Sequence, residues 1–406
     1  MSVSRRAGWF IWLIASTFYA YQYILRIMPS VMLTDISKQF NIDSALFGQF
    51  SGIYYIGYAL MHLPIGIMLD KYGPRRVISL CILLTTMGTL PIIFSTHSIY
   101  LILGRGLIGV GSSAAILGTF KIIRMAFREK LFPRMLSISV TIGLLGAIYG
   151  GGPVSYLCSI WPYKTVVGFF ALVGLVLSAL TYCIVPEIEA TKSGRILHNV
   201  KIVLTHPKVL LLCCFAGLMV GPLEGFSDIW GPQFLMVVYG FSKTTASYLP
   251  SMIFLGMCFG APILSLIAEK TGYYYGVIIG SGLFMFLTFT ALITLSLSET
   301  TIIGCFILVG VCCAYQILAI YKASTYVDEH LVGLTTAIAN MIIMSFGYFF
   351  HSVIGLVIHA SETLAPTEAF KHGISVIPIT LALGSLGFLY LALRGKDAKH
   401  KGTVLV

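Results

Sequence analysis

The chain has 406 residues, of which 57% are hydrophobic and only 10% charged, with a mean hydropathy of +0.92. Soluble proteins run about 25% charged, so a soluble cytoplasmic enzyme is excluded and lipid is indicated as the solvent. The formal charge of +11 would suggest nucleic acid in a soluble protein, but here the basic residues sit in short breaks between apolar runs, and no nucleic-acid partner is expected.

A helix that crosses the roughly 30 Å hydrocarbon core needs about 20 apolar residues. Twelve such runs occur in chain order, over 8–33, 46–69, 77–94, 99–125, 135–157, 166–185, 209–237, 246–268, 275–297, 302–326, 332–359 and 374–393. They are continuous and not ten-residue alternations, which excludes barrel strands. The first is not a cleaved signal peptide, since it is too long, carries Arg26 and is followed by no small-residue cleavage site. The breaks on one side carry eighteen Lys and Arg, those on the other only Lys38, Lys164, Lys243 and Lys371. The positive-inside rule then puts both termini in the cytoplasm, as an even number of crossings requires, and a bacterial inner membrane fits.

The predicted architecture is an all-α membrane protein with two six-helix bundles, over 1–185 and 209–406, joined by a cytoplasmic linker over 186–208. The nine cysteines have no metal-type or framework spacing and are expected to pack as small apolar residues. No Walker loop or nucleotide fingerprint occurs, so neither cofactor nor metal nor direct use of ATP is expected. The expected partners are a small-molecule substrate, protons and the bilayer, and the protein is expected to be a monomer.

An ionisable side chain near the bilayer centre costs at least about 2.5 kcal/mol, so each one needs a reason. Six are predicted there: Arg26, Arg105, Lys121, Glu224, Asp228 and Lys322. In the first span Tyr19, Gln22 and Tyr23 share a helical face with Arg26, a polar and aromatic stripe that should face a cavity. In the seventh, Glu224 and Asp228 lie four apart behind Gly217 and Gly221. Two carboxylates that close in a low dielectric disfavour double ionisation, so one should hold a proton at physiological pH. The plainer alternative is a permanent ion pair with Arg26 or Lys322. Lys121 either snorkels to the interface or touches substrate, and Lys322, with Tyr315 and Tyr326 near its face, is a cavity candidate. Of His62, His351 and His359, His351 is the candidate proton relay, and Asn340 is a further polar candidate.

The two halves align at an offset of 199 residues, with Gly57 on Gly256, Asp70 on Glu269, Lys71 on Lys270 and Gly73 on Gly272. Internal repeats of this kind mark secondary transporters. The run from Gly66 through Asp70, Lys71 and Gly73 to Arg75 and Arg76 resembles the signature loop of the major facilitator superfamily, with Lys71 in place of the usual Arg and Pro74 inserted before the basic pair. Its degraded second copy ends in Glu269 and Gly272, and Arg105 with Gly109 and Gly111 is similar to the family's fourth-span motif. The resemblance implies two pseudo-symmetric bundles that rock about a midplane site, and a gating role for the loop acid. It implies that Arg105 pairs within the amino-terminal half.

The segment from Tyr23 to Arg26 also resembles the first span of organic-anion symporters in that superfamily, where a Tyr-x-Asp-Arg run supplies a substrate-binding Arg; here Leu25 replaces the acid, and at the repeat offset Leu25 falls on Glu224. The glycines 143, 146 and 150–152 with Pro153 resemble the antiporter motif loosely, and close helix packing with a bend explains them as well. The expected function is proton-coupled import of a small carboxylate-bearing solute, an organic anion or a zwitterion such as an amino acid or short peptide. Arg26 and Glu224 would face each other across a wet cavity lined by spans one, four, seven and ten. The alternative is a proton-driven efflux antiporter.

Overall fold

A computed structural model describes residues 5–187, 196–328 and 331–402. Among the described residues the chain is helical and holds no strand. Part of the linker, with Lys192 and Arg195, lies outside them; within it the helix Ile196–Leu204 is described.

Nine helices among the described residues are long and apolar enough to cross a bilayer, ten when Pro207–Gly217 and Gly221–Tyr239, bent by 42°, are taken as one span. One of the nine, Ser44–Phe94, has 51 residues, about 75 Å at 1.5 Å per residue, more than twice the hydrocarbon thickness. Its backbone breaks at Gly73 (φ 78°, ψ 160°), a conformation closed to most side chains, so the run holds two crossings. The helix Arg5–Ile27, 23 residues long, completes the twelve. In the second copy of the loop, Gly272 also has positive φ (69°) and closes the helix Ser251–Thr271, its N–H donating to the Ala268 carbonyl. Both glycines that the repeat aligned are thus required by a turn.

The duplication extends to packing. A Cβ added at Gly57 would stand 2.5 Å from the Gly106 carbonyl oxygen of span four, and one at Gly256 would stand 1.9 Å from that of Ile307 in span ten. Likewise a Cβ at Gly109 would stand 2.0 Å from the Tyr54 carbonyl oxygen, and one at Gly310 2.0 Å from that of Ile253. Without a hydrophobic force between helices in lipid, close approach at small residues is what holds such pairs. The glycines of span five do the same work: Gly143 meets the Tyr19 ring, Gly146 the Ala20 backbone and Gly150 the Ile24 and Ile27 backbone and side chain, and the helix bends at Gly151. Close packing accounts for that run.

On the face opposite the Asp70–Arg76 break the two halves touch. A Cβ at Gly48 would lie 2.3 Å from the His351 carbonyl oxygen, one at Gly355 2.4 Å from that of Ser44, and one at Gly152 2.1 Å from the Tyr248 ring. Ion pairs at the rim, Asp35 with Lys243 at 3.9 Å and Asp43 with His359 at 3.8 Å, cross the same seam.

Gly109→Ala and Gly256→Ala are expected to lower stability by about 1–3 kcal/mol through overpacking. Gly280→Ala and Gly304→Ala, where a Cβ meets nothing within 4 Å, should leave it unchanged or slightly raised. Thermal unfolding of the four purified variants, side by side, checks the contrast.

Candidate functional site

A cavity of about 410 Å³ lies between the halves, bounded by Arg26 and Tyr55 at one end and by residues such as Phe120, Leu136 and Gly333 toward the side of the Asp70–Arg76 break. Its walls come from spans one, two, four, five, eight, ten and eleven. Span seven contributes none of the lining residues, a correction to the expected set, and the reason is that its acids sit behind Arg26.

The centre of span seven, Gly221–Trp230, is a π-helix, the wide-turned form that concentrates at functional sites. It turns Glu224 and Asp228 toward the same point, and both are fully buried. Arg26, 4% exposed, donates from Nη2 to Glu224 Oε2 and from Nε to Asp228 Oδ2 at 2.6 Å. The Tyr55 hydroxyl contacts the same two carboxylate oxygens, and its ring lies 5.0 Å beneath the guanidinium, with Tyr23 at 5.1 Å on another side. The second oxygens, Glu224 Oε1 and Asp228 Oδ1, find no hydrogen-bond partner among the described residues. Cation and acids therefore do not look at each other across water, as expected from sequence; they are in contact at the closed end of the cavity, with only the guanidinium on its wall.

Arg105, also buried, donates from Nη1 to the Leu25 carbonyl and from Nη2 to the Arg26 carbonyl, each at 2.7 Å, and its guanidinium lies 5.1 Å from the Tyr54 ring. It stays within the amino-terminal half and fixes the backbone from which Arg26 projects. Gln22 accepts from the Tyr54 hydroxyl at 2.6 Å. Tyr19, Gln22, Tyr23 and Asn340 line the cavity with Arg26.

Three residues expected on its wall lie elsewhere. Lys121 reaches Asp70 at 2.7 Å on the loop side, its long stem carrying the ammonium to the interface. Lys322 lies against Tyr274 and Tyr275 of span nine, at 5.9 and 5.5 Å. Tyr315 is fully buried, its hydroxyl donating to the Ala216 carbonyl of span seven at 2.6 Å. His351 packs beside the site in another way than expected: its Nε2 contacts the backbone carbonyl of Glu224, so that nitrogen carries the proton and no carboxylate is within its recorded bonds.

At the loop, Arg76 pairs with Glu187 and Arg75 stacks on Tyr182 at 4.4 Å. Gly66 has open space around it, with Leu117 at 3.9 Å, so close packing does not account for it. Glu269 is exposed. The residues missed by sequence reasoning are Tyr54, Tyr55 and Tyr58 of span two, and Gln316; His62, noted there only as a histidine that could titrate, continues the span-two row on the cavity wall. The four-residue spacing of 54, 58 and 62 was the available signal.

Comparison with known proteins agrees with this architecture. The sequence model described as Major Facilitator Superfamily matches residues 11–352. An uncharacterized transporter of Rickettsia felis is 27% identical over 202 residues, 48% of this chain and 49% of that protein. The quinolone resistance protein NorB of Staphylococcus aureus is 26% identical over 181 residues, 43% of this chain and 35% of NorB. The matched stretch thus spans about half the length of such relatives or less. Among solved structures, a bacterial homolog of the human lysosomal transporter Spinster, inward-facing and occupied, superposes with a TM-score of 0.77 at 17% identity, covering 97% of this chain and 98% of that one. The nucleoside transporter NupG superposes at 0.75 with 15% identity, covering 94% and 99%. At these identities the structures speak for the fold alone.

Arg105→Lys keeps the charge, but one ammonium cannot grip two successive carbonyls as the planar fork does. Stability is expected to fall by roughly 1.5–3 kcal/mol, the range for hydrogen bonds to charged groups, read as a lower midpoint of thermal unfolding.

Proposed function

We propose, from the premise that this chain belongs to the Major Facilitator Superfamily, that it is a proton-coupled symporter importing a small carboxylate-bearing solute, an organic anion or a zwitterion. The observation that carries the reading is the buried cluster of one guanidinium and two carboxylates, contributed by opposite halves. Arg26 is shared by two buried carboxylates, and the second buried cation, Arg105, is turned to the Leu25 and Arg26 carbonyls, so one acid has no cation of its own, which is costly unless it is neutralised. The single Tyr55 O–H lies between the two carboxylates and can be shared by them, but it cannot neutralise either. One resident proton answers the requirement.

The coupling follows from competition for Arg26. A solute carboxylate in the cavity competes with Glu224 and Asp228 for the guanidinium, and protonation of an acid weakens its hold. Solute and proton therefore favour each other's binding, which is the thermodynamic condition for symport. The cavity opens toward the Asp70–Arg76 side, taken as cytoplasmic from the basic bias of its breaks in a bacterial inner membrane. In this state Asp70 is held by Lys121 of its own half; exchange of that partner for one across the halves would close this side while the glycine seam opposite parts.

The test uses protein reconstituted in liposomes with an imposed pH gradient and a panel of amino acids, dipeptides and carboxylates. Glu224→Gln is expected to abolish concentrative uptake while leaving solute exchange, and uptake by the unaltered protein should quicken as the outside is acidified. Concentrative uptake by Glu224→Gln would sink the assignment. Tyr55→Phe should shift the pH dependence without removing transport. The match to NorB, named for quinolone resistance, favours proton-driven export as the second reading; it predicts protons moving against the solute, where symport predicts them moving with it.

A further inference from the structure

The two walls of the cavity differ in chemistry. The amino-terminal half supplies rings. On span two, Tyr54 and Tyr58 stack with centroids 6.1 Å apart and planes at 25°, and Tyr58 and His62 follow at 5.2 Å and 30°. On span one, Tyr19 and Tyr23 meet edge to face at 5.3 Å. Tyr54, Tyr58 and His62 thus form a row of rings at small mutual angles along the cavity wall, whose edges a solute can meet. The lining residues of the carboxyl-terminal half include no ring; they are aliphatic and methionine side chains, Gly333, the Thr336 hydroxyl and the amides Gln316 and Asn340.

Among the described residues, two polar atoms on lining residues lack partners. Gln316, 5% exposed, leaves Nε2 without an acceptor, and His62, 3% exposed, leaves Nδ1 without a bond. Buried polar groups are nearly always paired, and an unpaired one on a residue that lines a cavity points to a partner the cavity can bring once the side chain turns toward it. Ring edges carry the positive rim of the aromatic quadrupole and prefer the face of another ring to a saturated group. The volume of about 410 Å³ falls in the range of small-molecule sites.

We propose that the cavity is built for an aromatic carboxylate: its ring lies against the edges of the Tyr54–Tyr58–His62 ladder, its carboxylate reaches Arg26, and a hydrogen-bonding group on the ring engages Gln316. The carboxylate end rests on the symport reading above; the ring end stands on the wall itself. Gln316 and His62 are thereby specificity-determining residues.

Binding to the purified full-length protein, by titration calorimetry, tests this with matched probes. These are phenylalanine against cyclohexylalanine, 3-phenylpropionate against 3-cyclohexylpropionate, tyrosine against phenylalanine, and 2-phenylethylamine as the ring without a carboxylate. The aromatic member of each ring pair should bind about three- to tenfold tighter than its saturated isostere. Gln316→Leu should erase a preference for tyrosine over phenylalanine and keep phenylalanine over cyclohexylalanine, a pattern that misfolding cannot produce. Equal or tighter binding of the saturated members, or no binding by any probe, would overturn the proposal. If 2-phenylethylamine binds as tightly as phenylalanine, the carboxylate reading fails and the aromatic assignment stands. If the carboxylates bind without regard to their rings, the reverse holds.

Discussion

Everything at the centre of this molecule is organised by the cost of charge away from water. A guanidinium at mid-membrane must be neutralised, and here the neutralising groups come from the other half of the chain, through Glu224 and Asp228. That choice makes a local electrostatic necessity into a contact between bundles. The bond that solvates Arg26 is also the bond that joins the halves, so whatever weakens it, a proton or a competing anion, acts on both at once.

The supporting structure is spent on holding those groups still. Arg105 fixes the backbone beneath Arg26, the π-helix of span seven aims two acids at one point, and Tyr55 ties the acids together from the amino-terminal side. Around them the helices close at glycines, where one backbone lies against another with no room for a methyl group. Such seams are either shut or open, with little between, which is the behaviour that rocking between two states requires.

Much of this was legible in the sequence. The crossings follow from run length, and Gly73 and Gly272 from the repeat; the direct contact of Arg26 with Glu224 and Asp228 corresponds to the plainer alternative of an ion pair, not to the expected water-filled gap. What was not legible has one physical cause. Helical spacing tells which side chains share a face, but not which way that face is turned in the bundle. Lys322 and Tyr315 share helices with cavity residues and are rotated off the wall, toward span nine and span seven. Lys121 was undecidable because its flexible stem lets its charge sit far from its Cα. Tyr55 differs from its neighbour Tyr54 in no way a sequence can express, yet only Tyr55 reaches the acids.

The grip of Arg105 on the first span has a further meaning. The Leu25 carbonyl would, in an unbroken helix, accept from the amide four residues on, and that residue is Pro29, which has none. The arginine supplies from span four the donor that the imino acid withholds. Kink and cation are thus two parts of one device, in which loss of the guanidinium would leave the Leu25 carbonyl orphaned in the backbone that carries Arg26.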